Sequence, residues 1–121
     1  MPVATQRLAR ADARTAVETY FRAWQDGDFE SLRTVLADDV SFRGPLGQAD
    51  GAEQCVAGLR GMSQLMTGLE VRARVVEGSD VITFFDLLTG IAPPASTANW
   101  SHVEGGRITT ARAHRRAAAR C

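Results

Sequence analysis

Apolar residues recur at helical spacing from Ala13 onward: Ala13, Ala16, Val17, Tyr20, Phe21 and Trp24 share one face of a 3.6-residue period. The pattern stops at Asp26-Gly27, where glycine favours a helix end. Asp28 is placed to cap a second, short helix with Phe29, Leu32, Val35 and Leu36 inward. So short a turn predicts an antiparallel helix pair. Residues 1–11 read as a flexible lead-in. At residues 40–43 the period changes: Val40 and Phe42 alternate with Ser41 and Arg43, as in a strand with one buried face. Pro45 ends this strand, having no N–H for a sheet ladder. After a glycine-rich turn, Asp50 and Glu53 stand at capping-box spacing and open a third helix. Its inner face is expected to carry Cys55 or Val56, Leu59, Met62, Leu65 and Met66.

From Leu69 the chain keeps period two. Residues 69–76 and 81–88 form one expected hairpin across Glu77-Gly-Ser-Asp80, and 96–103 with 107–113 form a second across Glu104-Gly-Gly106. The segment 89–95, with Pro93 and Pro94, is the expected break between them. Three helices interrupted by one strand, then four strands, predict an α+β fold: helices on one face of a curved antiparallel sheet. The domain spans residues 12–112, and 113–121 form a basic Arg/Ala tail.

Composition narrows the function. The 121 residues hold 14 basic and 14 acidic side chains, and a zero formal charge argues against nucleic acid as a partner. No apolar run approaches the ~18 residues of a membrane span. The first residues lack a secretory signal's apolar stretch, and Cys55 and Cys121 do not form a disulfide framework, so a reducing cytoplasm is expected. Two distant histidines, His102 and His114, with no carboxylate at ligand spacing, predict no metal site. No Gly-x-Ser-x-Gly, phosphate loop or cofactor motif is present, and no cofactor is expected. Tyr20 is the one tyrosine, on a core face, where a buried phenol needs a hydrogen-bond partner that a ligand carbonyl can supply. Asp86 interrupts the apolar run 81–88, and strand phase decides its role. With Thr83, Phe85 and Leu87 inward it faces out, at a candidate dimer interface; in the opposite phase it is the available acid or base.

Three stretches carry a resemblance: Tyr20-Phe-Arg-Ala-Trp-Gln-Asp-Gly-Asp28, Leu36-Ala-Asp-Asp-Val-Ser-Phe-Arg-Gly-Pro45 and His102-Val-Glu-Gly-Gly-Arg-Ile108. Together they resemble the nuclear transport factor 2-like superfamily, within it the SnoaL-like and ketosteroid isomerase-like proteins. The resemblance implies a cone whose helices and curved sheet enclose an apolar pocket, commonly in homodimers paired through the outer sheet face. It also implies roles. Tyr20 falls where the isomerases place an oxyanion-binding phenol, and Asn99 where they carry a second, protonated acid donor. Gly44 stands where they carry the general base, so a steroid-isomerase mechanism is not expected. Asp38 and Asp39 are read as capping or solvating the preceding helix end. Trp24, Phe42, Met62, Met66, Phe84 or Phe85, and Leu87 are the expected pocket wall. The expectation is a protein that binds an apolar, carbonyl-bearing small molecule. Tyr20 and Asn99 would polarise the carbonyl, and Asp86 or water would move any proton. The alternative is a non-catalytic ligand-binding or dimerisation module of the same fold.

Overall fold

The computed structural model describes residues 3–45 and 47–115, with side chains from residue 12 onward. The order is α1 (Val3–Asp26), α2 (Phe29–Thr34), β1 (Leu36–Gly44), β2 (Gly47–Asp50), α3 (Ala52–Ser63), β3 (Met66–Glu77), β4 (Asp80–Thr89), β5 (Ala92–Glu104) and β6 (Arg107–Arg115). The α+β class stands, with the three helices against a curved, unclosed six-stranded sheet.

Helix α1 follows its expected apolar face closely. Ala13, Val17, Tyr20, Phe21 and Trp24 are all buried, and full burial of each large side chain is worth roughly 1.5–3 kcal/mol. It begins at Val3, so residues 3–11 of the expected lead-in are helical. Its end is a Schellman turn. Gly27 takes φ of 71°, and the N–H groups of Gly27 and Asp28 bond the carbonyls of Trp24 and Ala23. The Asp28 carboxylate then accepts from the Ser31 N–H at 3.1 Å and caps α2 as predicted. The Ser31 hydroxyl, donating to Asp28 Oδ2 at 2.7 Å, and then this N–H hold the carboxyl below the usual carboxylate range.

The sheet departs from expectation at its first edge. Its order is β2-β1-β6-β5-β4-β3, antiparallel except for a parallel β1–β6 pair, so the sheet is mixed. Alternation at 40–43 marks only the middle of β1, which starts at Leu36. The glycine turn returns as β2, an added strand too short for a pattern of its own. Consequently Gly51, with φ of 92°, is the N-cap of α3. Gln54, rather than Glu53, reaches back, its Oε1 accepting from the Asp50 N–H at 2.9 Å. Leu65 lies past the end of α3 and is exposed. Pro93 and Pro94 lie inside β5, so only Gly90 and Ile91 separate it from β4. Residues 113–115 of the expected tail continue β6, and 116–121 lie outside the described residues.

Candidate functional site

A cavity of about 240 Å³ opens between α1, α3 and the concave face of the sheet. Strand phase puts it there. Val81, Thr83 and Phe85 point inward from β4, and Asn99 and Ser101 do so from the facing stretch of β5. Trp24, Phe42, Met62, Phe85 and Leu87 line the cavity, joined by Ala49, Leu59 and Ala113. Met66 of the expected wall does not line it, because it belongs to the start of β3 rather than to α3. Phe84 is on the opposite face from Phe85, and the either-or resolves on Phe85. Trp24 is anchored by its indole N–H, which donates to the Leu59 carbonyl at 3.0 Å and ties α1 to α3.

Tyr20 and Asn99 line this one cavity. Ser101 donates its hydroxyl to Asn99 Oδ1 at 2.8 Å, so the amide's carbonyl is already occupied and its N–H₂ group is left to donate. Among the described residues neither the Tyr20 hydroxyl nor Asn99 Nδ2 has a hydrogen-bond partner, and no side-chain polar atom is sealed away unpartnered. Both groups therefore open onto the cavity. Burial, with a smaller contribution from nearby Cys55, pushes the Tyr20 phenol far above its ordinary pKa, so it stays a donor. Burial also pushes the Cys55 thiol up to about 11, leaving it protonated at neutral pH.

Asp86 is not in the cavity. It sits on the outer face, accepting from Arg72 Nε at 2.8 Å and from the Ser96 hydroxyl at 3.0 Å. The inward phase of Phe85 and Leu87 dictates this, and it puts Asp86 on the opposite face of β4 from the cavity. His102 is also outward, its Nδ1 2.8 Å from Asp80 Oδ1, and the Trp100 indole donates to the same oxygen at 3.1 Å. Asp38 and Asp39 are exposed on β1 rather than at a helix end. Arg33 bonds Asp38 at 2.7 Å and holds its carboxyl below the usual range.

Gly44 lines the cavity for a packing reason. A Cβ there would meet the Phe42 ring at 3.0 Å and Ala113 Cβ at 3.5 Å, so the aromatic ring fills the space a side chain would need. Among the lining residues no Asp, Glu or His occurs, and among the described residues no cluster of three metal-ligating side chains occurs. The arrangement can hold and polarise an oxygen in apolar surroundings. Gln48 and Thr97 line the cavity without having been singled out from the sequence, and Cys55, expected only on the inner face of α3, lines it too; Ser101 acts on the cavity through its bond to Asn99, whose inward phase it shares.

Comparison with known proteins agrees with this fold. Residues 17–111 match the SnoaL-like domain. The chain belongs to the SnoaL-like domain family. None of the curated proteins compared matches it. Among solved structures, this SnoaL-like domain is similar to a protein from Kribbella flavida at 26% identity and a TM-score of 0.79, with 84% of each chain covered. An M. tuberculosis LEH-like epoxide hydrolase is 26% identical with a TM-score of 0.74, covering 88% of this chain and 84% of its own. A proposed ketosteroid isomerase from Kribbella flavida is 16% identical with a TM-score of 0.79, covering 93% and 83%, and shares the fold. The three helices and open curved sheet are thus those of the nuclear transport factor 2-like superfamily.

Proposed function

We propose that this SnoaL-like domain binds an apolar small molecule bearing a carbonyl or its enol, with the Tyr20 hydroxyl and the Asn99 amide donating to one ligand oxygen. The observation that carries the reading is a pair of donors without protein acceptors, among the described residues, on one apolar cavity. Two such donors in a dry site stabilise charge developing on an oxygen, the requirement of isomerase- and cyclase-like chemistry. With no carboxylate or imidazole among the lining residues, any proton transfer falls to water or to the ligand's own groups. Free, buried Cys55 fits a reducing cytoplasm. The test is calorimetry with 2-naphthol, which presents a phenol oxygen on an apolar body. Wild-type binding in the micromolar range, weakened at least ~10-fold by Tyr20→Phe, or about 1.4 kcal/mol, is expected. Equal affinities for wild type and variant would make Tyr20 a core residue only.

The lack of a base favours a second reading, a non-catalytic ligand-binding module that pairs as a homodimer through its outer sheet face. Val75 and Ile82 are exposed there, and they stand opposite each other in the β3–β4 ladder. Sedimentation velocity is expected to give twice the 13.0 kDa chain mass, collapsing to one chain mass in Ile82→Asp. A wild-type protein sedimenting at one chain mass would remove the dimer from this reading.

A further inference from the structure

One stretch of the cavity wall has no side chain to close it. Helix α3 lends the cavity Gln54, Cys55, Gly58, Leu59 and Met62, the i, i+1, i+4, i+5, i+8 stripe of one helix face. Gly58 falls in the middle of that stripe, between Cys55 a turn before it and Met62 a turn after. It is also exposed. The other exposed lining residues are Pro45, Gly47, Gln48 and Gln54, so the cavity opens between α3 and the β1–β2 turn. Tyr20 and Asn99, both buried, mark its inner end.

Glycine inside a helix is less stable than alanine, because more backbone freedom is lost in fixing it. A left-handed backbone or the close approach of a neighbouring atom usually accounts for one. Gly58 has neither. It is not among the glycines with positive φ, and a Cβ built on it would meet nothing within 4 Å. What the residue leaves is an opening in the wall. Gly61 is open in the same way, but it lies off the stripe and does not line the cavity. The rim around the opening is uncharged. No Arg, Lys, Asp, Glu or His lines the cavity, and the polar side chains at the rim are the Gln48 and Gln54 amides. The Asp50 N–H donates to Gln54 Oε1 at 2.9 Å and ties that side of the rim to β2.

We propose that the ligand carries an uncharged apolar substituent opposite its oxygen, which leaves the cavity through the gap at Gly58, so that residue 58 sets the length of ligand the site takes. The proposal rests on the reading of the cavity as a ligand site. With the ligand oxygen on Tyr20 and Asn99, a single ring is enclosed, and a substituent on its far side has to cross the wall. The crossing segment is apolar, since a charge held against this rim would lose hydration and find no partner. A side chain at residue 58 would stand in that path, and one at residue 61 would not. Residue 58 thus acts on ligand length and leaves the contacts of the ligand oxygen alone.

The test is calorimetry with para-ethylphenol, para-butylphenol and para-hexylphenol on wild type, Gly58→Leu and Gly61→Leu. Leucine is the better helix former and both positions are open, so both variants are expected to unfold in urea at or above the wild-type midpoint. In wild type the affinity is expected to rise with chain length, by up to about fourfold for each methylene removed from water. Gly61→Leu is expected to keep that rise. Gly58→Leu is expected to bind ethylphenol within about threefold of wild type and hexylphenol at least ~10-fold more weakly than wild type. Gly58→Ala, which adds one methyl, covers the case in which leucine disturbs α3; it is expected to weaken hexylphenol alone, by about threefold. If wild type binds the series and the variants at residues 58 and 61 match it throughout, the opening at Gly58 is not the ligand's path, while the cavity reading stands. A Gly58→Leu variant that weakens all three probes equally would mean that leucine fills the cavity itself, and the path is overturned. If ethylphenol does not bind wild type, or binds Tyr20→Phe equally well, the cavity reading fails and takes the proposal with it.

Discussion

Replacing Trp24 with alanine is expected to destabilise the fold by about 3–5 kcal/mol, near the top of the range for a buried aromatic. The indole is 6% exposed and packs against Phe85 with ring centroids 6.5 Å apart and against Phe21 at 6.4 Å. Its removal also strips the Leu59 carbonyl of its donor. Most core substitutions are softened by neighbours moving inward. Here the void would merge with a cavity that already exists, and α1, α3 and β4 would have to collapse together to close it. Equilibrium unfolding in urea measures the effect. A loss under about 1 kcal/mol would mean that the seam between α1 and the sheet does not depend on this residue.

Asn99→Asp is expected to leave stability nearly unchanged at pH 4 and to cost several kcal/mol at pH 8. Position 99 is 3% exposed, and a carboxylate there would be desolvated in apolar surroundings. Desolvation raises the folded-state pKa above the unfolded value of about 3.9. The sign follows. Below the unfolded pKa both states are protonated and the substitution is tolerated; as pH rises toward the folded pKa the unfolded state alone releases its proton, and stability falls. Each unit of separation between the two pKa values costs about 1.4 kcal/mol. On the proposed reading of the cavity, the protonated acid would donate to the ligand oxygen in place of the amide, so naphthol binding is expected to persist at low pH. Urea titrations at the two pH values check this, and a pH-independent difference would show that the side chain escapes to solvent.

The position of Gly44 shows how far a resemblance carries. From the sequence it reads as an isomerase-type site that has lost its base. In the fold the space a side chain at residue 44 would need is taken up by packing, with the Phe42 ring 3.0 Å from where a Cβ would stand. Restoring a carboxylate there requires Phe42 to move as well.

The buried face of α1 and the alternation of the strands were legible in the sequence by itself. Helical spacing from Ala13 to Trp24 named the buried face of α1, Gly27 and Asp28 marked its end and the next start, and two-residue alternation put Phe85 and Asp86 on opposite faces without deciding which was inward. These are local properties: a side chain's direction is fixed by its neighbours' backbone geometry within a turn or a pleat. Which elements meet is not local. The parallel pairing of β1 with β6 joins residues far apart in the chain, and its register shifts between Leu36 and Ser41. That pairing brings Gly44 and Phe42 against Ala113, sets Arg43 beside Arg112, and adds β2 as an outer edge. The packing of α3 likewise brings Cys55 close enough to Tyr20 to influence its titration. The sequence determined which residues could face a cavity. Tertiary structure decided which of them share one, because register between distant strands depends on the packing of the whole sheet and its helices and leaves no periodic mark in either strand.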